Sequence, residues 1–502
     1  MNNLNFLVDV LKESPVFKTL EKNVKPGRTV CASGLSTINK SNIIYALCRL
    51  KGVMAFCLAS DEKEAQTLCN DLSCMGLRAY VYPVRDFNFL DFQSRSHEYE
   101  HARLKVLLKL INHECDVAIA CVDAAAQLTV PRNVLEQSVI EFAEGRELSL
   151  EKATKALTLL GYERFDAVEG SGQFSLRGGI LDFFMPDSDY PVRCEFWGDE
   201  ITDLSYFDIE TQRRFKKADK ITLSPSTEIV IEDRAALADK IEHKAKLLRS
   251  KNSAKAKEKL FSEAELIRSG AMIANADKFI NQIYDKPESL FDYLDRNTLV
   301  FASEFTAIQE RGKSMDFISN ETLMQGFEDG TLCRGFDRFA LTFNECTEFL
   351  QSHGTIVLEN FVHGSMPIKL SEIISFSTKQ LSAWGGSYKQ LKEDVDGLFT
   401  PESKGVIFAG TERAAKNLCD TFNADGINAV YSEGADKISK GELLVMQGAL
   451  SAGFEYPSQK FFAITYSQVS YRPEKSKKKK KRTGQEIYSL SELAPGDYVV
   501  HN

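Results

Sequence analysis

Short apolar runs alternate with amphipathic segments over the first quarter of the chain. This pattern predicts strands at 28–33, 53–59 and 116–122, and helices at 41–50, 61–72 and 97–112. Strands that alternate with helices are typical of βαβ units. A parallel sheet covered by helices is therefore expected here.

Between residues 170 and 207 the period of the pattern changes to two. Strands are predicted at 173–177 and 180–184, and the two glycines between them, Gly178 and Gly179, are a signal for a tight hairpin. Two more strands are expected at 192–197 and 201–207, with a helix at 150–160 that ends at Gly161. This segment is predicted to be a small α+β insert built on an antiparallel meander.

The remaining chain is mainly helical and charged from 224 to 294, has an apolar strand at 298–302, and shows a compact β-α-β pattern from 405 to 446. The predicted fold class is α/β and multidomain, with a helicase-like parallel-sheet domain, the inserted α+β domain and a compact α/β domain after them. The last residues, 496–502, resemble the first strand of a further domain, so a fragment of a longer protein is expected.

Composition and charge narrow the classes of function. The chain has 502 residues with 43% hydrophobic and 26% charged residues, which suits several domains with ordinary cores. Its formal charge is −9, and because seven basic residues lie between Lys475 and Arg482, the rest of the chain carries −16. An acidic body argues against a surface built mainly for nucleic acid, because phosphate neutralisation supplies most non-specific affinity.

Targeting and cysteine patterns point to the cytoplasm. No basic segment precedes an apolar core at the amino terminus, and the longest apolar stretch, 43–59, is interrupted by Arg49 and Lys51. The eleven cysteines show no CxxC spacing. We therefore expect a cytoplasmic protein with free buried thiols that binds no membrane and has no structural zinc site.

The segment 34–41, GLSTINKS, fits the phosphate-binding pattern GxxxxGK[ST], with Gly34 first, except that Asn39 replaces the second glycine. A predicted strand precedes it and a predicted helix follows. In a working P-loop, Lys40 would reach the β- and γ-phosphates and Ser41 would bind Mg²⁺.

The same site also needs an acidic strand end for the metal ion. The best candidate strand ends with Ser303 where aspartate is wanted, followed by Glu304, and Asp123 is a less specific alternative. We interpret this constellation as a degenerate nucleotide site rather than a hydrolysing one. No catalytic residue and no cofactor are expected in this chain.

Two further patterns are assigned ordinary structural roles. Residues 97–101, HEYEH, match the zinc motif HExxH, but polar residues precede them and no third ligand motif follows, so a solvated first helical turn is predicted and no metal. The lysines at 477–481 have no interleaved aromatic residue and are interpreted as a solvated linker.

The meander carries the most informative side chains. Alternation places Val192, Cys194 and Phe196 on the core side of their strand, so Arg193 and Trp197 point outward. Arg177 is expected on a non-core side of the same small sheet. Because tryptophan and arginine are the residues most enriched at binding hot spots, the pattern predicts a protein-binding patch. The alternative is a tryptophan half-covered by a neighbouring domain, with the arginines in surface ion pairs.

Three sequence stretches carry a specific family resemblance: EGSGQFSLRGGILDFF (169–184), RCEFWGDEI (193–201) and TQR (211–213). They resemble the UvrB-homology module shared by UvrB and the bacterial transcription-repair coupling factors (Mfd). The stretch LAPGDYVVH (493–501) is similar to the start of the RNA-polymerase-interacting domain of the coupling factors. The loop between Tyr82 and His97 is too short for the long DNA-clamping hairpin of UvrB.

This resemblance implies a domain division and partners. It implies UvrB-like domain 1a (1–125), a UvrA-binding domain 2 (126–215), domain 1b (216–370), a third α/β domain (371–470), a basic linker (471–487) and the start of the polymerase-interacting domain (488–502). The family's UvrA-contact positions fall on Arg177, Arg193 and Trp197. RNA polymerase and DNA are implied partners of regions mostly absent here, as is the ATP-driven translocase.

The function implied is recruitment of UvrA to stalled RNA polymerase in nucleotide excision repair. The competing hypothesis is a UvrB-like enzyme that hydrolyses nucleotide with Lys40, Ser41 and Glu304. A damage-binding protein like UvrB is a third, disfavoured by the acidic body and the short loop.

Overall fold

The structure is a computed structural model that describes residues 4–85, 97–138, 140–248, 253–270, 276–362, 366–381 and 388–466. The predicted linker at 471–487, the predicted strand at 488–502 and most of the loop between Tyr82 and His97 lie outside the described residues.

The first sheet is parallel and has seven strands. In chain order they are β1 (Val30–Ser33), β2 (Ala55–Ala59), β3 (Ala79–Tyr82), β4 (Val117–Cys121), β13 (Leu299–Ser303), β14 (Thr355–Leu358) and β15 (Glu372–Ser375). Their order across the sheet is β15-β1-β14-β13-β2-β4-β3. Strands β1, β2, β4 and β14 are buried at every position. Burial on both faces explains why they read as continuous apolar runs.

Helices of the described chain pack on both faces of the first sheet and on the sheets described below. They are α1 (Asn5–Lys12), α2 (Pro15–Asn23), α3 (Thr37–Lys51), α4 (Glu62–Cys74), α5 (Glu98–Ile111), α6 (Val122–Ala126), α7 (Arg132–Gln137), α8 (Leu150–Leu159), α9 (Arg234–Leu247), α10 (Ser253–Ser269), α11 (Ile280–Ile283), α12 (Phe305–Asp329), α13 (Phe343–His353), α14 (Tyr388–Leu398) and α15 (Glu412–Ala424). Capping residues determine where several of these helices begin or end. The Asp61 side chain accepts the backbone N–H of Glu64 at the start of α4, and Gly52 ends α3 with φ of 63°.

The second sheet is the predicted meander. Its strands are β6 (Glu163–Arg164), β7 (Gln173–Arg177), β8 (Ile180–Phe183), β9 (Val192–Trp197), β10 (Glu200–Phe207) and β11 (Arg214–Lys217), in the order β11-β10-β9-β8-β7-β6. A two-stranded sheet of β5 (Ile140–Ala143) and β12 (Lys220–Leu223) and helix α8 share its core. Gly178 has φ of 61° in the β7–β8 turn, and a Cβ at Gly179 would lie 2.8 Å from the Phe196 carbonyl oxygen, so both turn positions favour glycine.

The third sheet has six strands: β16 (Lys379–Leu381), β17 (Lys404–Phe408), β18 (Ala429–Ser432), β19 (Glu442–Met446), β20 (Gly453–Tyr456) and β21 (Phe461–Thr465), in the order β16-β20-β21-β17-β19-β18. One face packs on α14 and α15. On the other face, Phe408 and Phe454 share one hydrophobic cluster with Leu7 of α1 and Ile43 of α3. The first and third sheets are therefore joined by a common core.

The predicted fold class is confirmed. Strands 173–177 and 192–197 agree with the prediction residue for residue, and the other strands whose bounds were predicted differ by a few positions. The elements that were not predicted include β3, a four-residue edge strand whose Tyr80 and Val81 are half-buried, and the long helix α12. Helix α12 has few buried positions, so it lacks the one-sided apolar stripe on which sequence patterns depend. No helix in the described ranges combines the length and the apolar character needed to cross a membrane.

Candidate functional site: the outer face of the meander and the P-loop-like turn

Cross-strand register decides which side chains share the outer face of the second sheet. Asp182 on β8 pairs with Ser175 on β7 and with Arg193 on β9. Arg177 follows Ser175 by two residues, and Trp197 follows Arg193 by four, so all of them lie on the face opposite the core. The structure thus brings the three predicted partner-binding residues to one face.

Asp182 is the centre of this face. Its side chain is 1% exposed, and both of its oxygens accept hydrogen bonds from arginines. Arg193 donates from Nε to Oδ1 and from Nη2 to Oδ2, each at 2.8 Å, and Arg177 donates from Nη2 to Oδ2, also at 2.8 Å. One buried carboxylate therefore holds two guanidinium groups.

Arg193 and Arg177 differ in their exposure and in the number of hydrogen bonds they make within the domain. Arg193 is 13% exposed, donates further to the backbone and side-chain oxygens of Gln212 at 3.1 and 3.0 Å, and lies 4.3 Å from the centre of the Phe207 ring. The shared hydrogen bonds with Asp182 raise the pKa of Arg193. Arg177 is 51% exposed and makes a single bond, to Asp182. Arg177 can therefore be replaced with less disturbance of the fold than Arg193.

Trp197 is the most exposed large apolar residue described, at 82%. It ends β9 directly before the β9–β10 turn at Gly198, and its backbone pairs with Glu200. In the alternative interpretation, the half-covered tryptophan is wrong for the described chain, whereas the arginines do form ion pairs, with Asp182.

Sequence reasoning did not single out Asp182 or Gln212 as site residues. Alternation along β8 places Asp182 outward between Leu181 and Phe183, and that was the signal that could have found it. Its burial depends on the arginines of two other strands, which no local pattern shows.

The P-loop-like lysine is engaged inside the protein. Lys40 is 1% exposed, and its Nζ lies 2.6 Å from Glu304 Oε1, 2.9 Å from Ser303 Oγ and 3.2 Å from Glu64 Oε1. Burial acts to raise the pKa of Glu64, but Lys40 and hydrogen bonds from Ser303 and Ser60 hold it below its usual value. The structure therefore brings Lys40, Ser303 and Glu304 together, with Glu64 as a member that the sequence pattern did not reveal.

The turn that would cradle phosphates is also closed by the chain itself. The backbone N–H groups of Gly34 and Leu35 donate to the carbonyl oxygens of Asn360 and Glu359, both at 3.1 Å. The Thr378 hydroxyl donates to the Gly34 carbonyl oxygen at 2.7 Å, and a Cβ at Gly34 would clash with the Phe376 carbonyl oxygen. Phosphate binding needs such N–H groups to be free to donate, and here they are used.

Asn39 and Ser41 face away from this cluster. Asn39 is fully buried, and its Oδ1 accepts a hydrogen bond from the Ser36 hydroxyl at 2.6 Å. The Ser41 hydroxyl donates to Asp71 at 3.3 Å, and Asp71 also accepts from the backbone and side chain of Ser451, both at 2.7 Å. Helix α3 therefore contributes to the contact with the third sheet at the positions where a P-loop helix would bind Mg²⁺ and nucleotide.

A carboxyl pair lies beside Lys40. Glu359 is fully buried, and its Oε1 accepts the backbone N–H of Phe305 at 2.8 Å. Burial and the neighbouring charge of Glu304 raise the pKa of Glu359 to about 7. Glu359 therefore holds a proton over much of the range in which an ordinary glutamate is ionised.

One acidic cluster has the spacing of a metal site. Glu62, Cys121 and Asp123 have ligand atoms within 4.8 Å of one another, but both carboxylates already accept hydrogen bonds from Arg311, whose charge offsets half of theirs. Asp123 is therefore engaged by Arg311, and the cation of the P-loop-like site, Lys40, pairs with other carboxylates.

The HExxH segment begins α5. His97 Nδ1 lies 2.9 Å from Glu100 Oε2, and Glu100 Oε1 accepts from the Thr227 hydroxyl and the backbone N–H of Glu228 at 2.8 Å. Burial opposes these interactions, yet they lower the pKa of Glu100 to about 2. The predicted solvated turn is therefore wrong for Glu100, which anchors the start of α5 to the chain that follows β12.

Comparisons with known proteins agree with this architecture. The UvrB interaction domain family matches residues 140–229, which include the whole second sheet. The chain is 28% identical to the transcription-repair-coupling factor of Bacillus subtilis over 98% of the chain and 43% of that relative, and 25% identical to that of Staphylococcus haemolyticus over the same shares. The chain thus spans less than half the length of these relatives. With the UvrB-like stretches of the sequence, these matches show that the chain is similar to the amino-terminal part of transcription-repair-coupling factors.

Proposed function

We propose that this chain is the amino-terminal module of a transcription-repair coupling factor, which recruits UvrA to stalled RNA polymerase in nucleotide excision repair and has no ATPase of its own. The observation that carries the proposal is that the segment matching the UvrB interaction domain presents Arg177 and Trp197 on one exposed face. In this proposal the chain is cytoplasmic and divides at the boundaries given above, with 126–215 as the UvrA-binding domain.

The chemistry of that face suits a protein partner. Arg177 uses one of its five N–H donors within the domain and is half exposed, so it can donate charge-assisted hydrogen bonds to an acidic group. Trp197 offers a large aromatic surface to an apolar pocket. Arg193 contributes charge while it supports the sheet.

The competing hypothesis, a nucleotide-hydrolysing enzyme, has less support. Its lysine is bound by Glu64, Ser303 and Glu304, and two of its loop N–H groups donate to carbonyl oxygens. Contacts with RNA polymerase and DNA are assigned, within this proposal, to regions of the longer relatives outside this chain.

The test is titration calorimetry of the chain against purified UvrA. We expect Arg177→Ala and Trp197→Ala each to weaken binding at least tenfold, which corresponds to about 1.4 kcal/mol. Arg146→Ala is the matched arginine control, since Arg146 is an exposed arginine of the same domain that contacts Glu141. Phe317→Ala is the aromatic control, because Phe317 is 65% exposed on α12. Binding that is equal in parent and in both site variants would contradict the proposal.

A further inference from the structure

Arg177 and Arg193 of the outer face both donate hydrogen bonds to the buried carboxylate of Asp182. We infer that Asp182 is a positioning residue for UvrA: its carboxylate fixes the orientation in which Arg177 and Arg193 meet the partner. This inference rests on the proposed function and concerns a residue that offers the partner almost no surface of its own.

Burial separates the role of Asp182 from that of a contact residue. Its side chain is 1% exposed, whereas that of Arg177 is 51% exposed. Oδ1 accepts from Arg193, and Oδ2 accepts from both Arg193 and Arg177. Any effect of Asp182 on a partner must therefore pass through the two arginines.

Preorganisation gives the physical reason. A free arginine samples many rotamers and loses that freedom when it binds. Here the Arg177 side chain extends across the sheet to a carboxylate that β8 holds in place, and the bidentate pair with Arg193 fixes the geometry of that carboxylate. The guanidinium of Arg177 is thus ordered before the partner arrives.

The net charge of the cluster formed by Arg177, Asp182 and Arg193 indicates which chemical group of the partner it would bind. Two guanidinium groups share one carboxylate, so this cluster keeps one net positive charge. Nearby, Glu195 and Asp203 share Arg214, which leaves one net negative charge beside the cluster, so the positive charge is local to Arg177 and Arg193. The group that fits this cluster is a single carboxylate on UvrA, held by the free donors of Arg177.

A double-mutant cycle tests the inference by titration against purified UvrA. Asp182→Asn keeps the shape of the side chain and removes its charge, and we expect it to weaken binding at least tenfold. If Asp182 acts through Arg177, its substitution should cost at least threefold less in an Arg177→Ala background than in the parent. The same factor in the parent, in Arg177→Ala and in Arg193→Ala would mean a general structural role and would overturn the inference.

The control is Asp203→Asn, since Asp203 lies on the same face and pairs with Arg214. It should bind UvrA like the parent. Circular dichroism and melting curves report folding, and Asp182→Glu, which keeps the charge but displaces it by one methylene, supplies the comparison if Asp182→Asn does not fold. If Arg177→Ala weakens binding and Asp182→Asn does not, the inference fails alone; if the parent does not bind UvrA, both the inference and the proposed function fail.

Discussion

The ammonium of Lys40 lies 2.6 Å from a carboxylate oxygen of Glu304, at the place where a P-loop lysine would meet nucleotide phosphates. Carboxylates of the protein thus occupy the position that the phosphates of a nucleotide would take in a working P-loop. Glu304 adopts a left-handed backbone conformation, with φ of 57°, at the start of α12, and its Oε1 also accepts the backbone N–H of Asn360. A nucleotide would have to displace these contacts.

Removal of Lys40 should therefore lower stability rather than an enzymatic rate. Lys40→Ala leaves Glu64 and Glu304 without their cation, and we expect a loss of about 3 kcal/mol in the free energy of unfolding, measured by urea denaturation. Lys51→Ala is the control, because Lys51 lies 3.9 Å from Glu21 in a partly exposed pair and should cost less than about 0.5 kcal/mol. Saturable ATP binding to the parent that Lys40→Ala abolishes would contradict this interpretation.

Stability should fall as pH rises through the range in which Glu359 loses its proton. Its pKa is about 7 in the folded protein, above the ordinary value of 4.5, so the folded state binds more protons than the unfolded state between these values. The free energy of unfolding then decreases with rising pH in this window. Asp71, whose pKa burial raises to about 6, acts in the same direction from 3.8 upward.

The variant Glu359→Gln isolates this contribution. We expect it to be more stable than the parent at pH 8, by on the order of 2 kcal/mol, and to gain little at pH 5. The comparison with the parent is needed because burial lowers the pKa of His101, whose contribution to stability rises with pH. A parent and variant with parallel pH profiles would show that Glu359 titrates normally.

Because the first and third sheets share a core, a destabilising substitution in the third sheet should also destabilise helices that pack on the first sheet. Phe454 is fully buried in the cluster that includes α1 and α3, so Phe454→Ala should cost about 3–5 kcal/mol and reduce hydrogen-exchange protection in both helices. Phe422→Ala is the matched control, because Phe422 is equally buried but packs on the opposite face, away from α1 and α3. Equal loss of α1 and α3 protection in both variants would contradict a directed coupling through the shared core.

The two outer-face arginines should differ in their effect on stability. Arg193→Ala removes the bidentate pair with buried Asp182 and the bonds to Gln212, and we expect a loss of about 3 kcal/mol. Arg177→Ala removes one partly buried bond and leaves Asp182 paired with Arg193, so it should cost less than about 1 kcal/mol. Thermal and urea unfolding of both variants give this comparison, and equal losses would mean that Arg193 is no more a part of the fold than Arg177.

Much of the local structure follows from the sequence because its causes are local. The period of two along β9 places Arg193 and Trp197 outward, and the pair Gly178-Gly179 locates the hairpin between β7 and β8. The strand–turn–helix around Gly34 and the missing glycine at Asn39 are equally visible. Each of these features depends on neighbours within one or two turns of chain.

What the tertiary structure decided depends on residues far apart in sequence. Lys40 meets Glu304 across more than 260 residues, and Asp182 is buried by arginines from two other strands. The joining of the first and third sheets through α1 and α3 likewise has no local signal, because an apolar helix face does not specify what covers it. The sequence by itself determined many of the elements, the outward residues and the family resemblance. Only packing decided which charges neutralise one another, because Coulomb and hydrogen-bond partners are chosen by distance in space.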